Sequence, residues 1–325
     1  MRRLHRAALA GLAVVLLLSG CAGGGEDLSH LRIMVPNAPG SGYDATARTV
    51  AKAFEDSQTV RGVEVFNLPG SGGTVGLQRL IYEEGNGQLL MLMGQGMVGA
   101  QYEYSSAATL QDTTPIARLI EEPEIVVVSK GSPYRSLAEL VADWRAAPGD
   151  ISVGGGSTQG GPDHLAPMLI ADAIGIRPRD VTYVQHDGGG VLLAAILDER
   201  VSFGISGVGE YADQIRSGQL RALAVTSETR VPGFSDVPTL REAGVDVVYA
   251  NWRGIVAPPG LGPDEVHKVQ EAITKLHDSA EWRDALARNG WTDAYLVGEE
   301  FGAYIQAENA TLGSILADLG LTRVE

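Results

Sequence analysis

Between residues 31 and 257 the chain repeats one unit: a short apolar run, a glycine-rich turn, then a segment with helical spacing. The strand-like runs are LRIMV (31–35), VEVFN (63–67), LLMLM (89–93), IVVVS (125–129), ISVGG (151–155), VTYVQ (181–185), VSFGI (201–205), RALAV (221–225), VDVVY (245–249) and GIVA (254–257). Among the helical segments, SLAELVADW places Leu137, Leu140, Val141 and Trp144 on one face, with Ser136 and Glu139 as a capping box. Val266, Val269, Ile273 and Leu276 mark a second amphipathic helix, and EWRDALARNG ends on a glycine stop at Gly290. Apolar strands alternating with helices predict an α/β fold of mostly parallel sheets covered on both faces.

In such sheets ligands sit beyond the carboxyl ends of the strands, where loops run into helix N-termini. The glycines gather there: PGSGYD (39–44), PGSGGTVG (69–76), GQGMVG (94–99), GGGSTQGG (154–161), DGGG (187–190) and SGVG (206–209). Each loop can turn backbone N–H groups and a positive helix end toward an anion. Each is equally a tight strand-to-helix turn, and both readings stand at this point.

The ends say where the chain works. MRRLHR is a basic start, and AALAGLAVVLLL is an apolar run of twelve, short of the roughly 20 residues a membrane span needs. That pattern suits an export signal over 1–20. LSGC follows, so Cys21 is the expected lipidation site, with residues 21–30 as a tether. Cys21 is the only cysteine, which excludes an internal disulfide, a thiol nucleophile and a cysteine metal cluster. About 300 residues remain, natural for two α/β domains.

The chain carries 25 Lys and Arg against 40 Asp and Glu; losing Arg2, Arg3 and Arg6 with the signal leaves 22 against 40, a net charge of −18. Nucleic acid is a poor partner for that surface. An anionic ligand would need local donors, because the overall field opposes it.

The G-x-G-x-x-A match of Gly40, Gly42 and Ala45 does not make a nucleotide site. Neither PGSG copy is followed by lysine, VEVFN ends in Asn67 rather than an acid, and Asp44 would face a pyrophosphate. Enzyme signatures are also sparse, with no H-E-x-x-H and no G-x-S-x-G. Asp163-His164 and His186-Asp187 could form an extracytoplasmic hydrolase or metal site, or act only as caps and ligand hydrogen-bonders.

VPNAPGSGYDATAR, NLPGSGGTVG, GGGSTQGGPDHLAP, RVPGFSDVPTLREAGVDV and NWRGIVAPPG together resemble the substrate-binding proteins of tripartite tricarboxylate transporters, the Bug family. The resemblance spans nearly all of residues 31–310 and, through SGVGE and NWRG, leans to the tricarboxylate-type branch. It implies a two-lobed periplasmic-binding-protein fold of type II, with a small di- or tricarboxylate held in the interlobe cleft and passed to a two-component membrane permease. A module that reports to a membrane kinase is the other role such a binder could have. Lobe 1 would be 31–126 plus 250–325 and lobe 2 would be 127–249, with crossovers near 126–130 and 247–253. The protein would be a monomer, non-enzymatic, without cofactor or metal, lipid-anchored on the outer face of the cytoplasmic membrane.

The resemblance also implies the site. Lobe 1 would offer Gly40, Ser41, Gly42, Tyr43 and Asp44 with Gly72, Gly73 and Thr74. Lobe 2 would offer Ser157, Thr158, Asp163, His164, His186, Asp187, Gly188 and Ser206. The short hydroxyls suit carboxylate oxygens. Asp44 could cap its helix or accept from ligand, with Arg48 bracing it, and Arg253 is the expected charge partner, with Trp252 at a hinge or pocket wall. Two departures from the family pattern stand out: Tyr43 in the first loop, and His186-Asp187 where relatives carry an aromatic residue and lysine.

Overall fold

The computed structural model describes residue 28 and residues 30–318. The expected signal peptide, Cys21 and most of the tether lie outside the described residues.

The element order is β1 (Arg32–Val35), α1 (Gly42–Asp56), β2 (Glu64–Asn67), α2 (Thr74–Tyr82), β3 (Leu89–Gly94), α3 (Gln95–Glu103), β4 (Thr114–Ser129), α4 (Leu137–Ala146), β5 (Ser152–Gly155), α5 (Pro162–Ala173), β6 (Thr182–Gln185), α6 (Gly189–Leu197), β7 (Phe203–Gly207), α7 (Val208–Arg216), β8 (Leu220–Val225), β9 (Ala250–Ala257), α8 (Pro263–His277), α9 (Ala280–Asn289), β10 (Thr292–Val297) and α10 (Glu299–Asp318). Local chemistry sets the helix ends, though the expected capping box is half made, because Glu139 accepts from Arg135 N rather than from the Ser136 N–H. Ser136 accepts from the Glu139 N–H at the start of α4, and Gly290 closes α9 at φ 68°.

Parallel pairing holds β2-β1-β3 on one side and β6-β5-β7 on the other. Antiparallel strands join them: β9 pairs with β3 and β4, while β4 also pairs with β7, β8 and β10. The sheets are therefore more mixed than the strand–helix alternation predicts, because two long strands run back between the halves. In β4, Thr114–Pro123 pair with β9, and from Glu124 onward the same strand pairs with β7 and then β8. Pro123 sits where partners change, a place that tolerates the missing N–H.

Each half has apolar residues on both faces of its sheet, following the period of two. Ile33, Val35, Leu90 and Leu92 pack with Phe54 and Trp282, whereas Met34, Met91 and Met93 pack with Leu77, Trp252 and Phe301. In the other half, Val126 and Val128 pack with Trp144 and Phe203, while Ile125 and Val127 meet Ile196 and Tyr211. Two expectations shift. VDVVY forms no ladder: Val245 is buried, Val248 is exposed, and Tyr249 N donates to Thr226 O. Residues 114–124 and 292–297 are strands the pattern missed, since prolines and charges interrupt the first and the second is only half-buried.

Candidate functional site

The first loop is held by its own side chains. Ser41 caps α1 by accepting from Asp44 N at 3.3 Å. Asp44 Oδ2 accepts from Gly40 N and from Arg48 Nε, both at 2.9 Å, and Oδ1 accepts from Asn67 Nδ2 at 3.0 Å. Burial pushes this carboxyl up, but the bonds from Arg48, Gly40 and Asn67 hold it below its ordinary value. Asp44 is thus committed to shaping the loop, with Arg48 as its brace.

The second loop turns through four positive φ values, 146° at Gly70, 47° at Ser71, 61° at Gly72 and 101° at Gly73. Thr74 Oγ1 donates back to Ser71 O at 3.0 Å. Gly72 has no room for a side chain: a Cβ there would lie 2.7 Å from Ala100 and 3.0 Å from Thr158. The lips of the cleft meet elsewhere too, since a Cβ on Gly99 would collide with the Gly160 carbonyl. Gly188 likewise faces Ser41.

Between these loops lies a cavity of about 190 Å³, walled by Asn37, Tyr43, Gly70, Ser71, Gly72, Gly96, Tyr104, Gly156, Ser157, Thr158, Gln185, His186 and Asp187. A recess of about 40 Å³ opens from it, sharing Asn37, Tyr43, Gly96, Gly156 and Ser157 and adding Ser41, Gly42, Pro162, Asp163, Gly188, Gly189, Glu210, Asn251 and Arg253. Gly42, Gly96, Pro162 and Gly189 belong to the first turns of α1, α3, α5 and α6, so four positive helix ends face the space. Ser157 Oγ accepts from Asp163 N at 3.0 Å, which leaves its proton for an acceptor in the cavity. Tyr43 OH accepts from Met97 N at 3.1 Å, and burial pushes its phenol up to about 12.

Eleven of the expected residues line these spaces: Ser41, Gly42, Tyr43, Gly72, Ser157, Thr158, Asp163, His186, Asp187, Gly188 and Arg253. Gly40, Asp44, Gly73, Thr74, His164 and Ser206 do not form the walls. His164 is buried edge-on against Tyr183 at 4.8 Å, its Nδ1 accepting from Gly160 N at 3.1 Å, and burial pushes its ring down to about 4. It does not line the outer cavity that His186 and Asp187 face, and among the described residues no three His, Asp or Glu groups are placed to hold a metal ion. Trp252 is not a pocket wall; it packs edge-on to Phe301 and Tyr304 and donates to Glu308 at 2.9 Å.

Arg253 differs most from expectation. Its Nη1 lies 2.6 Å from Glu122 Oε2 and 3.1 Å from Thr46 Oγ1, and Nη2 lies 3.6 Å from Glu210 Oε1. The guanidinium is therefore taken by the protein's own acids. Around it stand four buried carboxyl groups, Glu122, Glu124, Asp163 and Glu210. Burial raises Asp163 to about 6 and Glu210 to about 8, and lifts Glu124 well above its ordinary value. The sequence carried one signal of this cluster: EEPE at 121–124, acids placed against the apolar run IVVVS.

A family model described as the tripartite tricarboxylate transporter family receptor matches residues 46–321. The chain belongs to that family. Among curated relatives, Protein BugT of Bordetella pertussis is 26% identical over 295 residues, covering 89% of each chain. Among solved structures, MatC of Rhodopseudomonas palustris with bound malate superposes with a TM-score of 0.77 at 23% identity, over 89% of this chain and 99% of that one. An R. palustris protein solved with adipate gives 0.82 at 22% identity, over 90% and 98%. The receptor thus has the two-lobed α/β architecture of periplasmic binding proteins and is a solute-binding protein of that type.

Proposed function

We propose that this receptor captures a small organic di- or tricarboxylate in the 190 Å³ cavity and delivers it to a two-component membrane permease. One observation carries the reading: the cavity and its recess are together walled by four helix first turns and short hydroxyls, an arrangement that holds a carboxylate without a free cation. Ser71, Gly72, Ser157, Thr158 and His186 would meet the carboxylate, and His186 Nδ1 is buried with no partner of its own. The malate and adipate of the two solved relatives support the ligand class. Lobe 1 (31–126 and 250–325) and lobe 2 (127–249) would hinge on β4 and β9, with ligand contacts to both favouring the closed state. Lipid on Cys21 would keep the receptor beside its permease, at the outer face of the cytoplasmic membrane.

A thermal-shift screen of the chain carrying Cys21→Ser tests this against di- and tricarboxylates, amino acids and aromatic acids, with and without chelator. One class of carboxylate is expected to raise the midpoint by several degrees, equally with chelator, as about 2.7 kcal/mol follows from ligand at 100 times Kd. Turnover of the acid, or a shift that needs metal, would contradict the reading.

A further inference from the structure

The outer cavity and the recess differ in chemistry. The outer cavity offers hydroxyls, turned backbone and one acid, Asp187, whereas the recess is faced by Asp163 and Glu210 together with the first turns of α1, α5 and α6. The only guanidinium or ammonium lining either space among the described residues is Arg253, already set against Glu122 at 2.6 Å. Glu210 is wedged between two helix starts: a Cβ on Gly42 would lie 2.5 Å from its Oε1, and one on Gly189 would meet its Oε2. Oε2 is enclosed and makes no hydrogen bond of regular geometry, with the equally enclosed Ser206 hydroxyl near it. Asp163 Oδ2 accepts from Gly156 N at 2.7 Å, and the Ser206 hydroxyl also lies beside this carboxyl. The recess therefore sets two carboxyl acceptors among the first turns of α1, α5 and α6, and its 40 Å³ has room for one small group.

We propose that Asp163, with Glu210 beside it, makes this recess a filter for the ligand's second functional group, accepting a hydrogen-bond donor, ammonium or hydroxyl, and turning away a second ionised carboxylate. The inference rests on the carboxylate-binding reading of the outer cavity and narrows its ligand from di- and tricarboxylates to acids whose second group is a donor. A second carboxylate beside Asp163 would meet like-charge repulsion that the enclosed recess screens poorly. It would also have no unengaged cation to answer it. An ammonium replaces that repulsion with attraction. A hydroxyl donates without adding charge.

Titration calorimetry at pH 7.5 on two matched series tests the filter: butanoate, 4-hydroxybutanoate, 4-aminobutanoate and succinate, then hexanoate, 6-hydroxyhexanoate, 6-aminohexanoate and adipate. In at least one series, the hydroxy or amino acid is expected to bind about tenfold or more tighter than the diacid of equal length. Amino over hydroxyl assigns charge pairing as the source; equal affinities assign hydrogen bonding. Asp163→Asn, checked for folding by circular dichroism, is expected to narrow the gap by weakening the donor ligands and strengthening the diacid, whereas Glu210→Gln, which keeps the neutral form, is expected to shift it less. If the diacid binds best to wild type in both series, or if Asp163→Asn does not move the ratio, the filter is overturned while the carboxylate reading stands. If no acid of either series and none in the thermal-shift screen binds, the carboxylate reading itself fails.

Discussion

Replacing Arg253 by alanine is expected to remove about 3–5 kcal/mol of folding stability, because it strands buried carboxylates without their counter-charge. The guanidinium is 3% exposed and set against Glu122, which is 1% exposed at the side chain. Nη1 also reaches Thr46 and Nη2 reaches Glu210, while Nε is buried without a hydrogen-bond partner. The substitution also joins two costs in one place, since Glu122 on β4 and Arg253 on β9 tie together the strands that link the halves. Urea unfolding should show a midpoint well below wild type. Arg253→Lys should recover only part of the loss, because an ammonium lacks the planar fork that reaches Glu122 and Thr46 together. A loss under about 1 kcal/mol for the alanine variant would mean that the carboxyls stay neutral and need no partner.

The second large effect is a fall in stability through neutral pH. Glu210 rises from an ordinary 4.5 to about 8, with burial as the first cause, so the folded state keeps a proton the unfolded chain has lost. Its contribution is complete below pH 4.5 and is lost as pH rises through about 8. Glu124 acts in the same direction, and Asp163 does so at lower pH, between 3.8 and about 6. His164 works oppositely: its depression from 6.5 to about 4 contributes stability above 6.5 that is lost as pH falls. The opposing effects overlap in acid, which leaves roughly pH 6.5 to 8.5 as the window where the acids act alone. Stability read from thermal melts should fall across it by an amount on the order of a few kcal/mol, since each tenfold difference in proton affinity between folded and unfolded chain is worth about 1.4 kcal/mol. Glu210→Gln should flatten that decline. A wild-type midpoint that stays level or rises from pH 6.5 to 8.5 would contradict the assignment.

Much of the fold was legible because its signals are local. Ile33, Met91 and Val126 lie in runs whose composition suits strands buried on both faces, and the capped helix at Ser136 carries its own start. The first half of β4 was not, because Pro115, Arg118, Glu121 and Pro123 break the apolar pattern where the strand is fixed by tertiary pairing with β9 and β10. The loops that surround the cavity followed from glycine placement, yet residues inside one loop divide by a rule no spacing reveals. Tyr43 points to the cavity while the adjacent Asp44 turns back to Gly40, Arg48 and Asn67. The acid cluster was the least legible. Glu122, Asp163, Glu210 and Arg253 are far apart in sequence and meet only when both halves are assembled. Arg253 read alone looks like a free cation, and only its neighbours show that it is engaged.

A crystal structure of the receptor with the acid that gives the largest thermal shift tests the central claim most directly. Ligand carboxylate oxygens are expected at about 2.7–3.2 Å from the Ser71 and Gly72 main chain and the Ser157 and Thr158 hydroxyls, directly or through one water, with the Arg253–Glu122 pair intact. A carboxylate paired to Arg253 with Glu122 displaced, or ligand bound outside the cleft, would contradict it.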